Sequence, residues 1–114
     1  MAKVLIIDDE LETLEIHKTY LQAEHEVFMF QSGAEALDQM TKIAPDIILL
    51  DIEMPFKTGI EATAIIKRQL PRTRVVFLTA YDRFEYAVGA LRSGGDDYLL
   101  KPTPEADLRD LLHK

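Results

Sequence analysis

IILLD (residues 47–51) is the stretch of sequence that decides the fold. An apolar run this short and unbroken is typical of a strand buried on both faces, as in a parallel sheet covered by helices. Asp51 is the first polar residue at the end of that strand. Open α/β sheets place their chemistry in the crevice outside the carboxyl ends of the strands, so Asp51 is the first candidate for a functional residue.

Three other short apolar runs end in polar residues in the same way. Residues 4–7 are followed by Asp8 and Asp9, residues 75–78 by Thr79, and residues 98–100 by Lys101. A fifth β-prone segment covers residues 26–30, and helical patterns separate the runs. Repeated strand–helix alternation predicts an α/β fold, a three-layer sandwich with a five-stranded parallel sheet and five helices. The flavodoxin-like strand order 2-1-3-4-5 brings all four polar strand ends to one edge.

Helical periodicity and capping signals predict the helices. They cover residues 10–22, the stretch between Ser32 and Pro45, residues 60–70, residues 84–91, and the chain from Pro104 onwards. The spacing of Ser32 and Glu35 indicates a capping box. On the first helix we expect Leu11, Leu14 and Leu21 to lie on one side. The scattered histidines His17, His25 and His113 are expected on the solvated surface.

Composition limits the class of protein. The chain has 114 residues, which is enough for one domain with a core, predicted here to span residues 1–114. It has no cysteine, no basic-then-apolar leader and no apolar run long enough to span a membrane, all of which fit a cytoplasmic protein. A net charge of −7 argues against direct binding of nucleic acid by this domain. The last helix is short, which indicates that the natural chain continues.

The polar strand ends form a set with a shared chemistry. A single polar residue after a strand is more often part of a turn or a helix cap. Four strands that all end in chemically compatible residues favour a functional site. Three carboxylates, Asp8, Asp9 and Asp51, repel one another unless a cation neutralises them, and an all-oxygen set selects Mg²⁺. Lys101 and Thr79 add a point charge and a hydroxyl donor, which suit the oxygens of a phosphoryl group during transfer. One carboxylate can itself be the nucleophile and form an aspartyl phosphate.

The chain resembles the receiver domains of two-component response regulators over essentially its whole length. The motifs that carry the resemblance are IIDDE (residues 6–10), LLDIEMP…TG (49–59), FLTAYD (77–82) and DDYLLKP (96–102). The resemblance implies the CheY-like form of the flavodoxin-like fold. The segment FEYAVGALRSG (84–94) is similar to receivers that carry an AraC-type DNA-binding output domain.

The resemblance also assigns roles. It implies that Asp51 accepts a phosphoryl group from a phosphohistidine of a sensor histidine kinase. It implies that Asp9 and Asp51 ligate Mg²⁺ directly with the backbone carbonyl of Glu53, and that Asp8 acts through water. Lys101 then pairs with the phosphoryl group, Thr79 and Tyr98 switch, and the peptide bond between Lys101 and Pro102 is cis. The resemblance also implies that Met54, Ala80 and Tyr81 flank the site and that Gly59 is a structural residue.

The implied function is a signalling switch that is not an enzyme, although it catalyses its own phosphoryl transfer and slow dephosphorylation. An output domain outside this chain controls transcription, and phosphorylation-dependent homodimers form through the face made by residues 82–112. A stand-alone receiver or a phosphorelay intermediate is the alternative. A more remote one is a Mg²⁺-dependent aspartyl phosphohydrolase, although such enzymes usually have an Asp where this chain has Glu53. A phosphate-independent interaction module is a third, because fold alone does not define function.

Overall fold

The fold follows from a computed structural model, which describes residues 2–51, 59–79, 96–100 and 103–112. The elements are β1 (Lys3–Ile7), α1 (Leu11–Leu21), β2 (Glu26–Phe30), α2 (Gly33–Ile43), β3 (Ile47–Asp51), α3 (Gly59–Gln69), β4 (Arg74–Thr79), β5 (Asp97–Leu100) and α4 (Glu105–Leu112). All strand pairs are parallel, in the order β2-β1-β3-β4-β5. The predicted order is therefore confirmed. The described residues contain four helices, and the predicted helix over residues 84–91 lies outside them.

Helices cover the sheet on both faces because the inner strands are apolar on both sides. All five residues of β3 are buried. One core cluster joins alternate strand residues to α2 and α3, and the other joins the remaining strand residues to α1 and α4. Parallel strands covered in this way direct every strand carboxyl end to one edge of the sheet. We call this edge, at which β1, β3, β4 and β5 end, the carboxyl edge.

Helix α2 shows how local sequence sets the ends of an element. At its start the Ser32 hydroxyl accepts a hydrogen bond from the backbone N–H of Glu35 at 3.4 Å, as the capping-box spacing predicts. At its end Ala44 adopts a left-handed conformation, with φ 52° and ψ 60°. The N–H of Ala44 donates to the carbonyl of Met40 at 2.8 Å, and Pro45 then prevents the helix from continuing.

We expect Ala44→Gly to stabilise the domain by about 0.5 kcal/mol. A Cβ atom in the left-handed region costs about 1–2 kcal/mol, and the greater freedom of glycine in the unfolded chain offsets part of that gain. Urea unfolding measures the change. Ala64→Gly, at an exposed position inside α3, is the control and should lose about 1 kcal/mol. A loss of similar size in both variants would contradict the assignment of strain to Ala44.

The prediction that the histidines lie on the solvated surface is wrong for His17 and His25. The buried side of α1 consists of Leu14, His17 and Leu21, whereas Leu11 is 50% exposed. Leu11 begins the helix at the carboxyl edge, so its turn lies beyond the sheet rather than over it. His17 has the helical spacing of the stripe and is buried with it. His25 is also buried, because its Nδ1 accepts the N–H of Ala2 at 3.0 Å between β1 and β2.

The described ranges contain four helices, and a helix that crosses a bilayer needs about 20 predominantly apolar residues. Within those ranges, none is both long enough and apolar enough to cross a membrane.

His113, the third histidine, lies outside the described residues.

Candidate functional site

The strand register brings the polar strand ends together at the carboxyl edge. Ile7 of β1 pairs with Leu50 of β3, so Asp8 and Asp51 each follow one member of the same pair. In the next ladder Asp51 pairs with Leu78, and Thr79 follows. Neighbouring strands lie about 4.7–4.9 Å apart. Three residues that are distant in sequence, Asp8, Asp51 and Thr79, are therefore neighbours in space.

These three side chains are buried at the edge. Asp8 is 0% exposed, Asp51 8% and Thr79 1%. One oxygen of Asp8 accepts the backbone N–H of Glu10 at 3.0 Å, which bends the chain from β1 towards α1. Burying carboxylates side by side costs free energy unless positive charge or hydrogen bonds compensate. The arrangement therefore favours a cation at this edge.

A cluster of carboxylates stands beside Asp51. One oxygen each from Asp8, Asp9 and Glu10 lies within 4.8 Å of the other two, and Asp9 and Glu10 are exposed. Acidic groups on a surface often occur without an ion, but here the cluster adjoins a buried carboxylate at a strand end. Carboxylate oxygens with open positions for water match the preference of Mg²⁺. The residues present therefore fit this ion. Glu10 was missed in the sequence analysis, although it directly follows Asp8 and Asp9.

Thr79 and Tyr98 lie on the same face of the sheet. Phe77 pairs with Tyr98 and Thr79 with Leu100, so Tyr98 is diagonal to Thr79 across the ladder. Tyr98 is partly buried and packs against the core cluster that includes Phe77. A movement of the Thr79 side chain would thus change the surroundings of the Tyr98 ring.

The structure describes only some of the predicted site residues. Those outside the described residues are Glu53, Met54, Ala80, Tyr81, Lys101 and Pro102. Gly59 is the first residue of α3. The ladder between Thr79 and Leu100 nevertheless shows that β5 ends at the carboxyl edge. Lys101 is the next residue in the sequence.

The parallel sheet in this order, with acidic residues at its carboxyl edge, is the architecture of flavodoxin-like α/β domains. Residues 4–113 match the family model described as the response regulator receiver domain. The chain belongs to this family. It is a receiver domain of two-component response regulators, which are signalling switches and are not generally classed as enzymes.

Known proteins agree with this assignment. The chain is 38% identical over 116 residues to the response regulator protein VraR of Staphylococcus epidermidis, covering 98% of this chain and 55% of the relative. It is 38% identical over 117 residues to the transcriptional regulatory protein BtsR of Salmonella typhi, covering 100% of this chain and 48% of the relative. The crystal structure of a response regulator receiver domain protein from Clostridium thermocellum superposes with a TM-score of 0.93. The identity is 31%, over 99% of this chain and 92% of that one.

Two consequences follow from the comparisons. The family membership favours a receiver over an aspartyl phosphohydrolase. The chain also spans about half the length of these two relatives, 55% and 48%. The functional roles of individual site residues and the limits of the domain at residues 1–114 stay predictions.

Proposed function

We propose that this receiver takes a phosphoryl group onto Asp51 from a phosphohistidine of a sensor histidine kinase, with Mg²⁺ as cofactor. The observation that carries the proposal is the placement of Asp51 beside Asp8 at adjacent strand ends, next to the carboxylates of Asp9 and Glu10. Asp51 is the nucleophile in this proposal because it ends the central strand between the carboxylates and Thr79.

The reaction is a substitution at phosphorus. A carboxylate oxygen of Asp51 forms the new P–O bond, and the P–N bond of the phosphohistidine breaks with its electron pair left on the imidazole nitrogen. Asp8, Asp9 and Asp51 would hold Mg²⁺, with Glu10 as an added candidate ligand. The bound ion would supply positive charge for the phosphoryl oxygens. The hydroxyl of Thr79 donates a hydrogen bond to a phosphoryl oxygen, and Lys101 pairs with the same group. Slow hydrolysis of the acyl phosphate then resets the domain.

The switch couples charge to packing. When the Thr79 hydroxyl turns towards the phosphoryl group, it leaves space on the face of the sheet that it shares with Tyr98. The Tyr98 ring fills that space, so the phosphoryl group favours one of two pre-existing arrangements of the domain. The movement of the Tyr98 ring changes the surface near β5. Strand β5 belongs to the face of residues 82–112 that is predicted to form homodimers.

The proposed output domain lies outside this chain. The relative BtsR is a transcriptional regulatory protein of about twice this length, since the matched region covers 48% of it. We infer that the natural protein carries an output domain that controls transcription, with an AraC-type DNA-binding domain as the preferred form. A stand-alone receiver or phosphorelay intermediate is the alternative. The proposed setting is the cytoplasm, where the sensor kinase acts.

Incubation with acetyl phosphate and Mg²⁺ tests the proposal. We expect intact-mass measurement to show one added phosphoryl group, lost when EDTA removes the metal before the reaction. An adduct that forms equally well in EDTA would contradict the role of Mg²⁺. Steady turnover of small phosphate esters without an accumulating adduct would contradict the switch and support a phosphohydrolase.

Glu10→Gln is expected to weaken Mg²⁺ binding about fivefold, as measured by calorimetric titration. A unit charge about 4 Å from a divalent ion contributes about 2 kcal/mol in bulk water. Salt screening at this exposed side chain reduces the contribution to about 1 kcal/mol, which corresponds to that factor in affinity. Glu12→Gln is the matched control. Glu12 is also exposed, in the first turn of α1, but lies outside the cluster, so loss of its charge should change the Mg²⁺ affinity less than twofold. Equal effects would show a general influence of charge rather than a ligand.

A further inference from the structure

The amino end of β5 is held by polar contacts far from the carboxyl edge. One oxygen of Asp96, Oδ2, accepts the backbone N–H of Val75 at 2.8 Å and the Nζ of Lys67 at 2.7 Å. The N–H of Asp96 donates in return to the carbonyl of Val75 at 2.8 Å. We call Lys67, Val75 and Asp96 the β5 clamp. It joins the end of α3 to the start of β4 and to Asp96, the residue before β5, and nothing in the proposed chemistry uses it directly.

The charge state of Asp96 suits this role. Partial burial alone would raise the pKa of Asp96, but hydrogen bonds from Lys67 and Val75, with the charges of Lys67 and Arg74, outweigh burial and lower it. The carboxylate is therefore ionised at neutral pH and acts purely as an acceptor. The side chains of Lys67 and Asp96 are 25% and 39% exposed, so water screens the ion pair. The importance of the clamp is accordingly geometric.

Strand β5 needs an external determinant of its register. It has only four residues and lies at the edge of the sheet, where it pairs with β4. A slip of two residues would keep the same side chains on each face and shift the strand by about 6.6 Å. The observed register sets Tyr98 against Phe77 and Leu100 against Thr79. This register decides which residue of β5 reaches the carboxyl edge.

We propose that Asp96, together with Lys67, is a positioning residue for phosphoryl transfer. It sets the register of β5 from the amino end, and so sets Tyr98, and the strand end that Lys101 follows in the sequence, relative to Thr79. The inference rests on the proposed function, which assigns those three residues their roles. Asp96 lies four residues from Leu100, about 13 Å along the strand, so it acts through the strand and does not touch the reacting atoms.

Asp96→Ala tests the inference through two rate parameters. With acetyl phosphate as donor, we expect the maximal phosphorylation rate to fall about tenfold, because small misplacements of catalytic groups are costly. The Mg²⁺ dissociation constant should change less than twofold, since the carboxylate cluster belongs to the end of β1. A purely structural role of Asp96 would not separate the maximal phosphorylation rate from the Mg²⁺ dissociation constant. Amide NMR should also show weakened contacts between Thr79 and Leu100.

Two control variants isolate the effect. Asp97→Ala removes the neighbouring carboxylate, which accepts only a local bond from the Tyr98 N–H at 2.8 Å among its described contacts. Thr73→Val removes a buried hydrogen bond from the Thr73 hydroxyl to the carbonyl of Pro45 at 2.8 Å, at the same end of the sheet. We expect both variants to keep the wild-type maximal rate within twofold. That result would show that a loss of stability alone does not slow phosphorylation.

The outcomes separate the inference from the proposed function. Wild-type protein that forms no adduct overturns the proposed function and this inference with it. Wild-type protein that reacts, with Asp96→Ala equally fast or Thr73→Val equally slowed, overturns the inference alone. If Asp96→Ala does not fold, Lys67→Met decides, because it keeps the bond between Asp96 and Val75. We expect it to lower the maximal rate about threefold, and an unchanged rate overturns the inference.

Discussion

Asp51→Asn is expected to lower the rate of phosphoryl adduct formation by at least about 10³-fold, to below detection by intact mass. The amide has nearly the shape of the carboxylate but lacks its charge and its nucleophilic oxygen. Asp51 is the last residue of the central strand β3 and is 8% exposed, so its replacement leaves no equivalent carboxylate at that strand end. The measurement is the phosphorylated fraction over time with Mg²⁺ and acetyl phosphate.

The same variant should keep or raise its melting temperature without metal. It removes a negative charge from a buried site beside Asp8, where the charges repel. Loss of the adduct then cannot be ascribed to unfolding. Asp38→Asn, at an exposed position of α2, is the matched control and should react like the wild type. An adduct that persists on Asp51→Asn would move the phosphoacceptor to another residue and contradict the proposed mechanism.

Ile66→Ala is expected to destabilise the domain by about 3 kcal/mol and to lower its melting temperature by about 10 °C. Ile66 lies in α3, is 0% exposed, and belongs to the core cluster shared with β1, β3 and β4. Its truncation removes apolar contacts and leaves a cavity between the helix layer and the sheet. Chemical and thermal unfolding measure the loss.

Ile16→Ala is the matched control for that experiment. It is the same substitution in a helix, but Ile16 is 49% exposed on α1. The small gain in helix propensity is common to both variants, so the difference between them reports burial. We expect Ile16→Ala to cost less than about 1 kcal/mol. Equal losses in the two variants would contradict the arrangement of α3 against the sheet.

The sheet could be predicted because its inner strands are buried on both faces. An apolar run such as residues 47–50 is compatible with few structures, and right-handed crossovers then determine the common edge. The histidines show where this reasoning fails. His17 lies on the buried stripe of α1 and His25 accepts a bond from Ala2, yet a polar residue type indicates exposure in a sequence. Tertiary packing decided both positions.

The site was predictable in part for a similar reason. Asp8, Asp51 and Thr79 each end a strand, so topology alone brings them together. The β5 clamp could not be predicted, because Lys67 and Asp96 are 29 residues apart and no motif links the two. Their contact depends on where the last turn of α3 passes the sheet. Lys101 and Glu53 lie outside the described residues, so their roles remain predictions.

A Mg²⁺ titration followed by amide NMR tests most directly whether the strand ends form a single cation site. The resonances expected to shift together, with one dissociation constant, are those of Asp8, Asp9, Glu10, Asp51 and Thr79. The resonances of Lys3, Asp46 and Arg74, at the opposite edge of the sheet, should stay in place. Shifts scattered over the surface, or an unaffected Asp51, would contradict the account.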